Sequence, residues 1–194
     1  MQTTSPSLLH RLRDRADADA WGRLARVYTP LLLDWVQRLG VQPADADDLA
    51  QEVLATVARE MPRFEYDPAR GAFRGWLRTV LANRVRHHRR SRAGRPDAVG
   101  GGGQDRLLAD LADGRGDLGR EWDRDHDRHV VGRLLDLIRP EFQPATWEAF
   151  RLAAVEGRPA AEVAATLGLT PNAVRVAKCR VLARLRQEAD GLTG

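Results

Sequence analysis

The sequence predicts an all-α protein: two small helical domains joined by a flexible linker, the second a helix-turn-helix. Three observations carry this. Apolar residues recur at three- and four-residue intervals in almost every periodic segment, and no strand-like alternation of any strength appears. A stretch centred on the tetraglycine Gly100–Gly103 separates the two helical halves. Finally, "GLTPNAVRVAKCRVLARLRQ", residues 168–187, places a glycine, a threonine and a proline before an apolar stripe carrying five basic residues and no acidic one. The expected boundaries are 18–95 for the first domain, 96–116 for the linker and 117–190 for the second domain.

Each element has its own reason. In "WGRLARVYTPLLLDWVQRLG", Trp21, Leu24, Tyr28, Leu31, Trp35 and Leu39 share a helical face, and Gly40 supplies the stop. Pro30 is expected to kink this helix or break it in two. "DADDLAQEVLATVARE" puts Leu49, Val53, Val57 and Met61 on one face, with aspartates suited to a helix start and Pro62 marking its end. "EYDPARG" reads as a turn. A third helix runs from about Phe73 to Arg90 on Phe73, Trp76, Leu77, Val80 and Leu81. "DRLLADLADGRGD" has weak periodicity and adds at most a turn of helix to the linker. Pattern resumes near Leu118 and continues to Ile138, where Pro140 stops it. "PATWEAFRLAAVEG" has Pro144 in its first turn and Gly157 after its last.

Composition bounds the function. The chain has 194 residues, is 43% apolar and 30% charged, and holds one cysteine, Cys179, which excludes an internal disulfide and a cysteine-based zinc site. No apolar run reaches membrane-spanning length, and the N-terminus lacks the apolar core of a signal peptide, so a soluble cytoplasmic protein is expected. The net charge is only +4, yet the basic residues are segregated. Eight arginines and no acid lie between Arg74 and Arg95, a second acid-free basic block spans residues 163–187, and the chain between them turns acidic. Two basic faces on a nearly neutral chain point to two contacts with one polyanion.

The last helix carries the more direct signal. Gly168 sits where a tight turn between helices needs a permissive residue, Thr170 is a good N-cap, and Pro171 fits the first helical position. Val163, Ala164 and Leu167 are placed to pack on the second helix of the pair. Stepping about 100° per residue from Val174, Val181 and Leu185 fall within roughly 20° and Ala177 about 60° away. Lys178 lands near that stripe, so its stem should pack and its ammonium snorkel. Arg175, Val176, Cys179 and Arg180 face away. A solvated amphipathic helix is the plain alternative, but such faces usually mix charge signs. In a helix-turn-helix the second helix enters the major groove, where Arg175 and Arg180 reach guanine edges. Arg184 and Lys178 are expected on phosphate.

"DADDLAQEVLATVAREMPRFEYDPARGAFRGWLRTVLANRVRHHRR", residues 45–90, closely resembles the second region of extracytoplasmic-function sigma factors of bacterial RNA polymerase. The stretch "AAEVAATLGLTPNAVRVAKCRVLARLR" is similar to their fourth region. The resemblance spans roughly residues 18–95 and 118–189. It implies that the segment with Asp45, Asp48, Leu49, Gln51 and Glu52 docks on the clamp helices of the polymerase large subunit. It further implies that Phe64, Trp76, Asn83, Arg84, Arg86 and Arg90 open and read the minus-ten element. Arg175, Val176, Lys178, Cys179, Arg180 and Arg184 would then read the minus-thirty-five element. The family often has other residue types where Val176 and Cys179 stand, so no particular minus-thirty-five sequence is implied. The expected partners are core RNA polymerase and promoter DNA, with an anti-sigma factor as a further partner.

The residues themselves also admit plainer roles. Asp45, Asp48 and Glu52 follow an i, i+3, i+7 course that suits a basic partner and also stabilises a helix N-terminus. Trp76 reads as core first and promoter contact second. Phe64, Tyr66 and Phe73 divide evenly between a pocket for an unstacked base and caps of the small core. Asp105, Asp110, Asp113 and Asp117 read as a solvated linker, or as a nucleic-acid mimic in the polymerase channel. His126 and His129, three apart near Asp123, lack a third ligand for zinc. No nucleophile elbow, phosphate loop or dinucleotide fingerprint is present, so no enzyme, cofactor or metal is expected. A stand-alone repressor or activator is the alternative within DNA binding. A magnesium-dependent nuclease using Asp45, Asp47, Asp48 and Glu52 is the weaker alternative outside it.

Overall fold

The computed structural model describes residues 7–64, 73–93, 101–190 and 192. The described residues are helical, with no strand among them. They divide into two compact units, residues 7–130 and 131–190.

In the first unit, the short α1 (Leu8–Arg11) is capped by the Ser7 hydroxyl, which accepts the His10 N–H at 3.3 Å. α2 (Ala18–Arg38) starts at Asp17, whose carboxylate accepts the Ala20 N–H at 2.9 Å and the Arg11 fork at 2.7 and 2.8 Å. α3 (Pro43–Glu60) begins on proline, which lacks only an N–H that would have no intrahelical partner there. It ends in a 3₁₀ turn at Met61–Arg63. α4 (Phe73–Ala93) packs on α2 and α3. Their apolar stripes meet as the sequence predicts: Leu24, Tyr28, Leu31 and Trp35 of α2, Leu49, Val53 and Val57 of α3, and Phe73, Leu77 and Leu81 of α4 are all buried.

Three expectations are corrected. α2 remains one helix through Pro30. The proline removes one backbone hydrogen bond at the turn below it, and the buried residues on both sides hold the axis together. His129 Nε2 donates to the Val27 carbonyl at 2.7 Å, next to the Arg26 carbonyl that the proline leaves without its helical donor. Second, the described part of the expected linker is a helix, α5 (Gly101–Asp113), packed on α4 with Leu108 and Leu111 fully buried. Asp110 Oδ2 then accepts the Leu118 N–H at 3.2 Å, so an aspartate read as solvated caps the next helix. Third, the units divide within α6 (Asp117–Ile138), after Val130, and not at residue 117. The reason is that Trp122 and His126 are fully buried in the first unit. The turn "EYDPARG" and the linker residues 96–100 lie outside the described residues.

The second unit is built as read. α7 (Pro144–Phe150) runs into a π-helical turn, Arg151–Val155, and Gly157 closes it at φ +72°. α8 (Ala160–Leu167) and α9 (Pro171–Ala189) are joined through Gly168, whose φ of +65° is the left-handed conformation expected there. The Leu169 N–H returns to the Ala164 carbonyl at 2.9 Å, and Thr170 Oγ1 caps α9 by accepting the Ala173 N–H at 3.1 Å. Val163, Ala164, Val174 and Ala177 form one buried cluster with Leu167 against it. Ile138, Phe150 and Val181 form a second, with Leu185 against it.

Leu111→Ala should therefore cost about 2–4 kcal/mol in urea unfolding, as for a core leucine. Limited proteolysis should spare 101–113.

Candidate nucleic-acid interface

The face of α9 that turns away from both clusters is the basic one. Arg175, Lys178, Cys179 and Arg180 are exposed, and Val176 is 40% exposed. Among the described residues no ion pair engages Arg175, Lys178 or Arg180, so this positive field is not neutralised within the chain. Lys178 lies more in the open than expected. Arg184 does not belong to this face. Its guanidinium forks onto Glu141 at 2.7 and 2.9 Å and reaches buried Glu188 at 2.7 Å. Burial opposes its charge, but the hydrogen bonds to Glu141 and Glu188 outweigh this and raise its pKa. A donor fork filled by two carboxylates is not offered to phosphate, which corrects the expected role of Arg184.

On α4 the basic block separates by helical face. Trp76, Asn83 and Arg90 recur every seven residues and share a stripe, flanked by Arg84 and Arg86. Asn83 and Arg90 are exposed, and Trp76, Arg84 and Arg86 are half-buried. Arg86 donates to Asn83 Oδ1 at 2.7 Å, so the mid-helix asparagine is braced by its neighbour. The remaining described arginines serve the fold. Arg74 pairs with Asp123 at 3.2 Å and Asp127 at 2.5 Å, and Arg78 pairs with Asp123 at 2.9 Å. Arg89 donates to the Leu39 carbonyl, and Arg92 holds Asp45 at 2.5 and 3.0 Å.

Beside this stripe stand the aromatics. Phe73 is fully buried and belongs to the core. Phe64 and Trp76 are half-buried and lie 4.8 Å apart between ring centroids, at 5.9 and 5.4 Å from Phe73. Tyr66 lies outside the described residues.

On α3, Asp47, Asp48, Gln51 and Glu52 are exposed. Asp45 is half-buried in its pair with Arg92. Leu49 is only 2% exposed, so it faces the core and not a partner. The correction was legible in the sequence, because Leu49 sits on the stripe of Val53 and Val57. Both ring nitrogens of His126 are engaged by Tyr28 and Asp127, His129 Nε2 is engaged by the Val27 carbonyl, and among the described residues no cluster suited to a metal ion exists.

Residues 24–95, from α2 through α4, match the sigma-70 region 2 family. The chain is also 27% identical over 183 residues to the ECF RNA polymerase sigma factor RpoE of Cereibacter sphaeroides, covering 93% of this chain and 92% of that protein. The chain is thus similar to an extracytoplasmic-function sigma factor along nearly its whole length, with the region 2 match in α2 through α4. A solved structure titled "Structure of CnrH in complex with the cytosolic domain of CnrY" is 24% identical and covers 94% of this chain and 95% of its counterpart, at a TM-score of 0.37.

These similarities support a sigma-factor function in transcription initiation. Region 2 contains both the exposed acidic stripe of α3 and the outward basic stripe of α4. What sequence reasoning missed is the complement on α6. Asp123 and Asp127, four residues apart, face Arg74 and Arg78, also four apart. That matched spacing was the available signal. No described helix is long and apolar enough to cross a membrane.

Arg184→Ala should lower stability by about 1–3 kcal/mol in chemical denaturation, because it strips buried Glu188 of a charged donor. The salt dependence of DNA binding should stay unchanged.

Proposed function

We propose that this chain is a sigma factor that binds core RNA polymerase through the exposed part of α3 and contacts promoter DNA with two separate basic stripes. Asp48, Gln51 and Glu52 meet a basic helical partner on the polymerase clamp. Trp76, Asn83, Arg84, Arg86 and Arg90 face the minus-ten element, and Trp76 with Phe64 holds a base taken from the stack. Base–aromatic stacking contributes about 1–3 kcal/mol per base, enough to favour local opening once the duplex is weakened. The second unit acts as region 4. Arg175 and Arg180 read base edges of the minus-thirty-five element, Val176 and Cys179 make small contacts, and Lys178 meets phosphate.

The observation that carries this reading is the sorting of charge. Among the described residues, each unit has one set of arginines without an acidic partner, while arginines beside the cores are paired. A helix merely solvated by arginine would have no reason to segregate them so. The protein supplies no chemistry of its own. It works in the cytoplasm with core polymerase and promoter DNA, and an anti-sigma factor would act by covering these same faces.

Run-off transcription with purified core polymerase and a promoter library tests the reading, and dependence of transcript starts on this chain is the expected result. Asp48→Lys with Glu52→Lys should abolish pull-down of core polymerase while circular dichroism stays unchanged. Arg175→Ala and Arg180→Ala should each cost about 1–3 kcal/mol of DNA affinity and relax preference at one promoter position. Lys178→Ala should weaken all sequences alike and reduce the salt slope by about one phosphate contact. Affinities on single-base promoter variants at several salt concentrations separate these effects.

A further inference from the structure

A chain of contacts inside the first unit leads from the first half of α6 to the Phe64–Trp76 pair beside the start of α4. His126 is fully buried on the first half of α6. Its Nδ1 lies 3.1 Å from Asp127 Oδ1, and its Nε2 lies 3.1 Å from the hydroxyl of Tyr28, itself fully buried. A carboxylate accepts only, so the ring proton is on Nδ1, and the bare Nε2 accepts the Tyr28 O–H. The Tyr28 ring meets Phe73 edge-on at 5.5 Å, and Phe73 contacts Trp76 at 5.4 Å and Phe64 at 5.9 Å. Asp127 is also held by Arg74, the neighbour of Phe73 in sequence, at 2.5 Å, so the circuit closes on itself.

We propose that His126 is a positioning residue for promoter opening: by accepting the Tyr28 hydroxyl it fixes Phe73, and through Phe73 the Phe64–Trp76 pair. This rests on the reading in which that pair faces the minus-ten element. The arrangement needs His126 neutral. A proton on Nε2 would turn that nitrogen into a donor and leave the Tyr28 hydrogen seeking another acceptor in a dry core. The charged groups facing the ring are Asp127 and Asp123 on its own helix and Arg74 on α4, with Tyr28 on α2. Burial lowers the His126 pKa below its ordinary value, against the pull of Asp127, and burial raises that of Tyr28, so both are neutral near pH 7. With the folded pKa depressed, the contact is complete above the ordinary histidine value of about 6.5 and is lost as pH falls through the folded value.

The test uses the full chain with core polymerase on a promoter recovered from the library, carrying 2-aminopurine in the minus-ten element. As pH is lowered from about 7.5 through the depressed folded value of His126, wild-type opening should fall several-fold while core binding holds. His126→Gln keeps an acceptor for Tyr28 but does not titrate there. It should open within about twofold of wild type at the higher pH and show a flatter profile. Tyr28→Phe should open about three- to tenfold less well at the higher pH, a step that needs the hydroxyl and not the ring. Parallel pH profiles for wild type and His126→Gln, or full opening by Tyr28→Phe, would overturn the inference. A second readout needs no promoter. In the free chain labelled with 5-fluorotryptophan, the Trp76 resonance, assigned with Trp76→Phe, should shift with pH in the wild type and stay still in His126→Gln. A Trp76 signal that titrates identically in both overturns the inference by itself. If that signal behaves as expected but the wild type opens no promoter, the proposed function fails while the buried coupling stands.

Discussion

The contact on which the first unit depends is the meeting of Asp123 and Asp127 on α6 with Arg74 and Arg78 on α4. These side chains are 11–38% exposed, so desolvation offsets much of the attraction and the pairs add little net stability. What they fix is register. Two acids spaced one turn apart face two bases spaced one turn apart. In that register the Trp122 ring meets Trp35 edge-on at 5.2 Å, its Nε1 donates to the Arg74 carbonyl at 3.3 Å, and His126 reaches Tyr28. Sliding α6 by one residue would rotate it by about 100° and turn Trp122 toward water. Arg38 adds a further tie to Glu121 and Asp125 on the same helix, at 3.3 and 2.8 Å.

That docking decides which arginines remain for a partner. In sequence the basic block is uniform; in the fold it has an inside and an outside. Arg74, Arg78, Arg89 and Arg92 are consumed by α6, by the Leu39 carbonyl and by Asp45. Arg84, Arg86 and Arg90 are left beside Trp76 and Asn83. The same division operates in the second unit, where Arg184 is absorbed by Glu141 and Glu188 while Arg175 and Arg180 stay outward. Net charge is therefore a poor guide to the polyanion-facing surface, and the unpaired subset is a better one.

The α8–α9 pair shows the opposite case, where local chemistry suffices. Gly168 takes its positive φ, Thr170 closes the first turn of α9, Pro171 sits where no N–H is needed, and the Val174–Val181 stripe buries as its spacing requires. None of these features asks for anything distant in sequence.

Helix existence, the helical face of each apolar residue and the turn at Gly168 were determined by the sequence alone, because they follow from interactions within a few residues. So was the exposed placement of Arg175, Val176, Cys179 and Arg180. The burial of Leu49 was equally legible, on the stripe it shares with Val53 and Val57. Tertiary structure alone decided the rest. Helix α5 begins on three glycines, poor helix formers, and is held by packing Leu108 and Leu111 on α4. α2 runs through Pro30 because packing on both sides outweighs one missing hydrogen bond. The fates of Arg74, Arg78, Arg92, Arg184 and His126 depended on acids and a hydroxyl about 43 to 98 residues away. Periodicity reports which face a residue occupies; only the folded chain brings the partner that face will meet.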